Sequence, residues 1–139
     1  MINQRDVIRI KIPYPSINDK LAMSAHMYIC RQAAMPKYEF VKCQTLKPYM
    51  LLNNIMRHYI DEEPDITRNP FKHTTRIDCD KTFNTNGIEY DSQLLTPIRK
   101  DICEETFLSV EKELQIDGFE IIVLNENELI SINQFITKI

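Results

Sequence analysis

Three short segments in the first 45 residues alternate apolar and polar side chains, and proline residues separate them. The first segment, Asp6–Ile12, predicts a core face of Ile8, Ile10 and Ile12, with Val7, Arg9 and Lys11 on the other face. Pro13 ends it, because proline cannot donate a hydrogen bond to a strand ladder. His26–Cys30 and Tyr38–Gln44 follow as a predicted hairpin pair. Three strands joined by short polar loops predict a small curled sheet or barrel.

The remaining chain mixes helical and strand-like patterns, which places the protein in the α+β class. We predict a helix from Pro48 to Ile60, a solvent-exposed run Asp61–Asp65, a strand Thr75–Asp80, a turn Asn84–Gly87, a strand at Leu94 and Leu95, a helix Ile102–Gln115 capped by Asp101, an apolar run Phe119–Leu124, and a last helix capped by Asn125 or Asn127 that reaches Ile136. No repeat, linker or low-complexity segment interrupts this order, so residues 1–139 are expected to form one domain.

The charge is unevenly distributed along the chain. The formal net charge is −3, but residues 1–60 carry nine Lys or Arg against three Asp or Glu, a net of +6. Residues 61–139 carry eight against seventeen, a net of −9. The basic end suits a phosphate-bearing partner, although two independently solvated faces would give the same pattern.

The cysteines and the absence of long apolar runs indicate where the protein works. The four cysteines, at positions 30, 43, 79 and 103, form no CxxC pair and sit among apolar neighbours, which is typical of free thiols in a reducing compartment. No apolar run is long enough to span a bilayer, and the N-terminus lacks the order of a signal peptide. We therefore expect a cytoplasmic protein without a membrane partner.

Several familiar kinds of site are missing from the sequence. With two glycines in the chain, a glycine-rich phosphate loop is excluded, and neither GxSxG nor HExxH occurs. The three histidines are not spaced as ligands on one helix face, so we expect no metal and no cofactor.

Cleavage of RNA needs neither a metal nor a cofactor, because the 2′-hydroxyl of RNA is itself the nucleophile. An enzyme needs only to orient it, move protons and stabilise charge. Candidates for these roles are Lys20, His26, Thr45 and the cluster His73, Thr74, Thr75 and Arg76, together with the strand cation Lys42. Each also fits an ordinary role as a solvated or strand-end residue.

The order of these features resembles the MazF/PemK toxin family from about residue 4 to residue 116. The family's opening pattern is similar to Gln4–Pro13, its second strand to Ala25–Cys30, and its Q-[IVL]-T element to Cys43-Gln44-Thr45. Asp91–Leu95 followed by Ile98–Ile102 resembles its last strand and the start of its final helix.

The resemblance implies a strongly curved SH3-like β-barrel with peripheral helices, a homodimer, an antitoxin partner, and metal-independent cleavage of single-stranded RNA. Lys20 would then stabilise developing charge, His26 or His73 would move protons, and Thr45 would position the phosphate or 2′-hydroxyl. The RNA-binding segments of the family fall on Pro13–Ser24 and around Gln44. The expected RNA contacts are therefore Ser16, Ser24, Lys42, Gln44, His73, Thr75 and Arg76.

The chain departs from the family in three places. Ser24-Ala25 stands where the family has an Arg-Pro pair with a catalytic arginine, and Lys20 or Arg31 is the available substitute. The segment between Leu46 and Thr75 is longer than in the family, and residues 117–139 form an extra C-terminal extension. Ser24-Ala25 and the acidic C-terminal half favour an alternative function on the same fold: a non-catalytic module, such as a regulatory protein of a mobile element, that binds nucleic acid or a protein.

Overall fold

The computed structural model describes residues 1–52 and 56–139. The described residues form nine strands: β1 (Val7–Ile10), β2 (His26–Ala34), β3 (Lys37–Thr45), β4 (Tyr59–Glu62), β5 (Thr75–Asp78), β6 (Lys81–Asn86), β7 (Ile88–Tyr90), β8 (Glu120–Val123) and β9 (Ile136–Lys138). They also form four α-helices: α1 (Lys20–Met23), α2 (Pro48–Leu52), α3 (Glu104–Gln115) and α4 (Glu126–Ser131). The predicted α+β class is confirmed.

The nine-residue strand β3 organises a seven-stranded sheet. One edge of β3 pairs with β2 along its length, and β1 lies outside β2. The other edge changes partner, since Lys37–Phe40 pair with β6 whereas Cys43–Thr45 pair with β5. Strand β4 pairs with β5 on the side away from β3, and β8 pairs in parallel with β6. Within the described residues this sheet is not closed into a barrel, so the expected SH3-like closure is not confirmed.

Both faces of the sheet are buried, which gives the protein two apolar clusters. Ile8, Ile10 and Ile12 lie in the first cluster, with at most 1% of their surface exposed, as the alternating pattern predicts. Val7, predicted on the other face of the strand, lies in the second cluster and is fully buried. The reason is helix α3, which covers that face with Val110 and its neighbours.

Helix α3 follows its expected amphipathic pattern. Phe107, Val110 and Leu114 are buried at helical spacing, and two glutamates occupy its first turn, where they favour the helix dipole. The predicted N-cap is wrong, since Cys103 occupies that position. Asp101 instead forms an ion pair with Arg99, at 3.1 Å between Oδ1 and Nε.

Other predicted boundaries differ from the structure. The helix beginning at Pro48 ends at Leu52 among the described residues, and Tyr59–Glu62 is strand β4, so the expected helix to Ile60 is wrong there. Ile55, which is predicted to belong to this helix, lies outside the described residues. In the run Asp61–Asp65, predicted to lie in solvent, Glu62 is buried and the other four residues are exposed. Strand β6 occupies most of the expected turn and reverses only at Gly87 (φ 82°), which suits glycine. The strand expected at Leu94 is a 3₁₀ turn, Ser92–Leu94.

The C-terminal residues 117–139 are part of the same packing. Strand β8 extends the large sheet, β9 pairs with β7, and Asn125 caps α4 by accepting a hydrogen bond from the Glu128 amide at 3.0 Å. Leu124, Leu129 and Ile136 are buried in the first cluster. Ile136 lies in β9 and not in the last helix, contrary to prediction. None of the helices in the described part of the chain is long and apolar enough to cross a membrane.

Candidate functional site

A cavity of about 360 Å³ lies where the edge of β3 changes partner. We call it the first cavity. Five of the ten residues expected from the sequence line it: Lys20, His26, Lys42, Gln44 and Arg76. Lys42 and Gln44 are two positions apart on β3 and therefore share a face of the sheet. Gln44 lies opposite Arg76 of β5, which brings these sequence-distant residues together.

His26 begins β2 and presents a neutral imidazole. Its Nδ1 lies 3.0 Å from the backbone carbonyl of Ser24, and a carbonyl can only accept, so Nδ1 carries the proton. Burial lowers the pKa of His26 below 6.5, and the positive charges of Lys42 and Arg9 lower it further, although the Ser24 carbonyl opposes them. In this tautomer Nε2 keeps a lone pair at neutral pH and can accept a proton.

Lys42 is a half-buried cation at the point where the sheet divides. Burial lowers the pKa of its ammonium below 10.5, and Lys81 lowers it further, while Asp78 acts in the opposite direction. Within residues 1–52 and 56–139, neither Lys42 nor Lys20 has a carboxylate oxygen within 4.0 Å of its nitrogen. These two ammonium groups are therefore available to an anion.

The other charged groups of the first cavity are already engaged. Lys81 donates to Asp78 at 3.1 Å, and Asp78 also accepts from the Asp80 amide at 2.8 Å. Asp80 accepts from the amides of Arg57 and His58 at 2.8 and 3.0 Å. These carboxylates stabilise the local chain reversal and do not neutralise Lys20 or Lys42.

Arg76 is buried and held in a fixed orientation. Its guanidinium forms two hydrogen bonds of 2.8 Å with Asp61 of β4, and its central carbon lies 3.8 Å from the centre of the Tyr59 ring. The bond to Asp61 raises the pKa of Arg76. Arg76 therefore contributes a positioned positive charge to the cavity wall, already shared with one carboxylate.

Three other expected residues lie on the opposite face of the sheet. Thr45, His73 and Thr75 line a second cavity of about 560 Å³, and the Thr75 hydroxyl donates to the backbone carbonyl of His73 at 2.9 Å. Thr45 follows Gln44 directly, and successive strand residues point to opposite faces. The structure therefore does not bring Thr45 together with Lys20 and His26.

Ser16, Ser24 and Arg31 line neither cavity. The Ser16 hydroxyl donates to Asp19 at 2.7 Å in the exposed first loop. Ser24 contributes through its backbone carbonyl, which fixes the His26 tautomer. Arg31, the suggested substitute for the family arginine, is bound to Glu39 and Glu111, each at 2.7 Å.

The sequence did not indicate Asp78, Asp80 or Lys81 as site residues. They line the first cavity because the chain reverses between β5 and β6, which depends on the pairing of both strands with β3. Lys20, expected in a loop, begins the short helix α1. No local pattern in the sequence reports the long-range pairing that brings these residues together.

Two further findings in the described residues concern metal ions and thiols. They contain no group of three or more His, Cys, Asp or Glu residues arranged to hold a metal ion. All four cysteines are unpaired, as expected, and burial raises the pKa of Cys30 and of Cys79 to about 12. These two thiols are therefore protonated and unreactive at neutral pH.

Comparisons with protein-family models, with curated proteins and with solved structures found no match to this chain.

Proposed function

We propose that the protein is a metal-independent endoribonuclease that cleaves single-stranded RNA in the first cavity, as a toxin-like member of a toxin–antitoxin pair. One observation carries this proposal: a neutral histidine and two ammonium groups without carboxylate partners meet around one cavity. These groups suffice for phosphodiester cleavage that uses the substrate's own 2′-hydroxyl.

In the proposed reaction, Nε2 of His26 removes the proton of the 2′-hydroxyl. The 2′-oxygen then forms a bond to phosphorus, and the bond from phosphorus to the 5′-oxygen breaks. The leaving 5′-oxygen takes a proton from Lys42, whose lowered pKa makes it a stronger acid than an exposed lysine. Lys20 stabilises the charge that develops on the non-bridging oxygens. The products are a 2′,3′-cyclic phosphate and a free 5′-hydroxyl.

Two features support assigning RNA as the substrate. The cationic groups belong to the N-terminal part of the chain, whose first 60 residues carry a net charge of +6. A cavity of about 360 Å³ lies at the small end of the range known for ligand sites, which suits one phosphodiester with its ribose better than a duplex.

The test is incubation of the purified protein with single-stranded RNA in the presence of EDTA, with the termini of the products identified. We expect cyclic phosphate ends. We expect His26→Gln to lower the cleavage rate by about 10²- to 10⁴-fold, the usual contribution of a general base. Lys42→Met should lower it by a similar factor.

Lys112→Met provides the matched control, because Lys112 is exposed on α3 and lines neither cavity. It removes the same charge as Lys42→Met and should cleave RNA as fast as the wild type. RNA that stays intact with the wild-type protein, or an equal loss of rate in the control, would overturn the proposal.

A non-catalytic binding module is the second candidate function. Helix α2 borders the first cavity and exposes Tyr49, Leu51 and Leu52 by 56%, 64% and 85%. Exposed apolar side chains of this size favour contact with another protein. In that case His26→Gln and Lys42→Met would leave binding of the protein partner unchanged, whereas Leu51→Asp with Leu52→Asp would abolish it.

The resemblance to the MazF/PemK toxins extends this proposal to an antitoxin, a homodimer, a cytoplasmic location and an SH3-like barrel. The apolar surface of α2 beside the first cavity supports an antitoxin that blocks the site by covering it. Light scattering of the purified protein tests the dimer, and inhibition of RNA cleavage by a co-expressed neighbouring gene product tests the antitoxin.

A further inference from the structure

The second cavity has a distinct charge pattern. It lies at the same end of the β3–β5 pair as the first cavity, because Thr45 and Thr75 line one while their neighbours Gln44 and Arg76 line the other. Its lining includes three basic side chains, Arg9, Lys72 and His73, and no Asp or Glu among the described residues.

These three basic side chains form no ion pair within the described part of the chain, whereas five other arginines do so. Three cations grouped around one cavity, with no carboxylate in its described lining, suit an anionic ligand.

The rest of the lining combines uncharged polar side chains with an apolar part that includes a strained residue. Met27, Phe71 and Pro70 line the cavity, and Ile98 lies at its rim with 89% of its surface exposed. Ile98 has a φ of 70°, which is unfavourable for a β-branched side chain. Strained backbone conformations of this kind cluster at active sites and ligand-binding segments.

Arg9 connects the two cavities. It lines the second cavity and lies opposite Met27 in the β1–β2 ladder, while the next residue, Ile10, lies opposite His26 of the first cavity. The positive charge of Arg9 also lowers the pKa of His26, so Arg9 lies within electrostatic range of that histidine although the two cavities are on opposite faces of the sheet. A single polymer with a repeating phosphate and a planar apolar group matches both sites.

We propose that the second cavity binds a nucleotide that flanks the cleaved bond in the same RNA strand, with its phosphate on Arg9 and Lys72 and its base against the apolar lining. This inference rests on the proposed function for the identity of the ligand. It adds a subsite that favours single-stranded substrate, because a base in a duplex enters the cavity only after unpairing and unstacking, which costs free energy.

The experiment measures binding apart from cleavage. A fluorescein-labelled 2′-O-methyl RNA of eight nucleotides lacks the nucleophile, so its anisotropy reports binding alone. The double variant Arg9→Met with Lys72→Met removes two exposed charges, and the control Lys112→Met with Lys138→Met removes two exposed charges that line neither cavity. Thermal denaturation confirms that all three proteins are folded.

We expect the cavity variant to bind about tenfold more weakly at low salt. Its logarithmic salt slope should fall by about 0.7, the contribution of one phosphate of a single strand, because both cations contact the same phosphate. The control should bind like the wild type. Ile98→Asp should also weaken binding of the oligonucleotide, because it removes an apolar contact. The salt slope should change only by the contribution of the single carboxylate that this substitution introduces.

The outcomes separate the two proposals. Weaker binding by the cavity variant supports the subsite even if the wild type cleaves no RNA. Equal binding by the cavity variant and the control overturns the subsite, even if His26→Gln proves that the first cavity cleaves. No binding of the oligonucleotide by the wild type also overturns it.

Discussion

Two buried tyrosines provide a sharp test of the packing beside the candidate site. Tyr28 of β2 and Tyr90 of β7 are both fully buried in the first apolar cluster. The Tyr90 hydroxyl lies 2.8 Å from the Thr85 hydroxyl and shares a hydrogen bond with it. The Tyr28 hydroxyl is buried and has no hydrogen-bond partner within the described part of the chain. The same substitution at the two positions should therefore have opposite effects.

We expect Tyr28→Phe to raise the free energy of unfolding by about 1 kcal/mol. A buried hydroxyl without a partner costs about 1–3 kcal/mol, and the van der Waals attraction of the removed oxygen atom offsets part of that gain. Tyr90→Phe should lower the free energy of unfolding by about 1–3 kcal/mol, because it leaves the Thr85 hydroxyl buried and unpaired. Each 1 kcal/mol corresponds to a shift in melting temperature of roughly 4 °C for a chain of this length.

Urea denaturation followed by far-ultraviolet circular dichroism measures both variants against the wild type. The midpoints should move in opposite directions with equal slopes, so that the difference reflects stability and not a change in the surface exposed on unfolding. If Tyr28→Phe lowers the midpoint as much as Tyr90→Phe does, then Tyr28 has a hydrogen-bond partner in solution and the reasoning fails.

Three further predictions concern charge. The cleavage rate should rise with pH as His26 loses its proton, at a pKa below 6.5, and fall again as Lys42 loses its proton, at a pKa below 10.5. Initial rates between about pH 4.5 and 10 test this, and a rise that begins above about pH 7 contradicts it. His58 bridges two carboxylates, Glu113 and Asp117, and the bond to Glu113 is the main cause of the raised pKa of His58. The stabilisation that protonated His58 provides is therefore full below pH 6.5 and is lost as the pH rises through the raised pKa. His58→Gln should remove that part of the pH dependence of the melting temperature, and an unchanged dependence refutes the assignment. Asp61→Asn should lower the free energy of unfolding, measured by urea denaturation, by roughly 2 kcal/mol. Breaking a fully buried pair costs about 3–5 kcal/mol, and we expect less here because the Asp61 side chain is 34% exposed beside buried Arg76. A change below about 0.5 kcal/mol would contradict this prediction.

The strands near the N-terminus could be predicted because their pattern is local. Ile8, Ile10 and Ile12 alternate with other residues, and this alternation alone places them on a buried face. Ile60 shows the limit of such reasoning. It fits a helical repeat with residues before it, yet it lies in β4 opposite Ile77 of β5. A short apolar run is compatible with either structure, and the distant partner strand decides between them.

The candidate site was predicted in part for the same reason. Lys42 and Gln44 are two residues apart on a strand, so their common face follows from the sequence. The same rule places Thr45 on the opposite face from Lys42 and Gln44, whereas its separation from His26 depends on the register between β2 and β3. Lys81 could not be identified, because its place depends on the point at which β3 exchanges one partner strand for another.

The exchange of partners along β3 explains why a lysine with a lowered pKa occurs here. Between Phe40 and Cys43 neither β5 nor β6 pairs with β3, and Lys42 lies in this interval. The carboxylate of Asp78 is already bound within the chain reversal between β5 and β6, since it accepts hydrogen bonds from Lys81 and from the Asp80 amide. Lys42 is thus half-buried beside carboxylates that are already committed, and burial lowers the pKa of its ammonium. A division in the sheet, and not a sequence motif, supplies the proton donor that the proposed reaction requires.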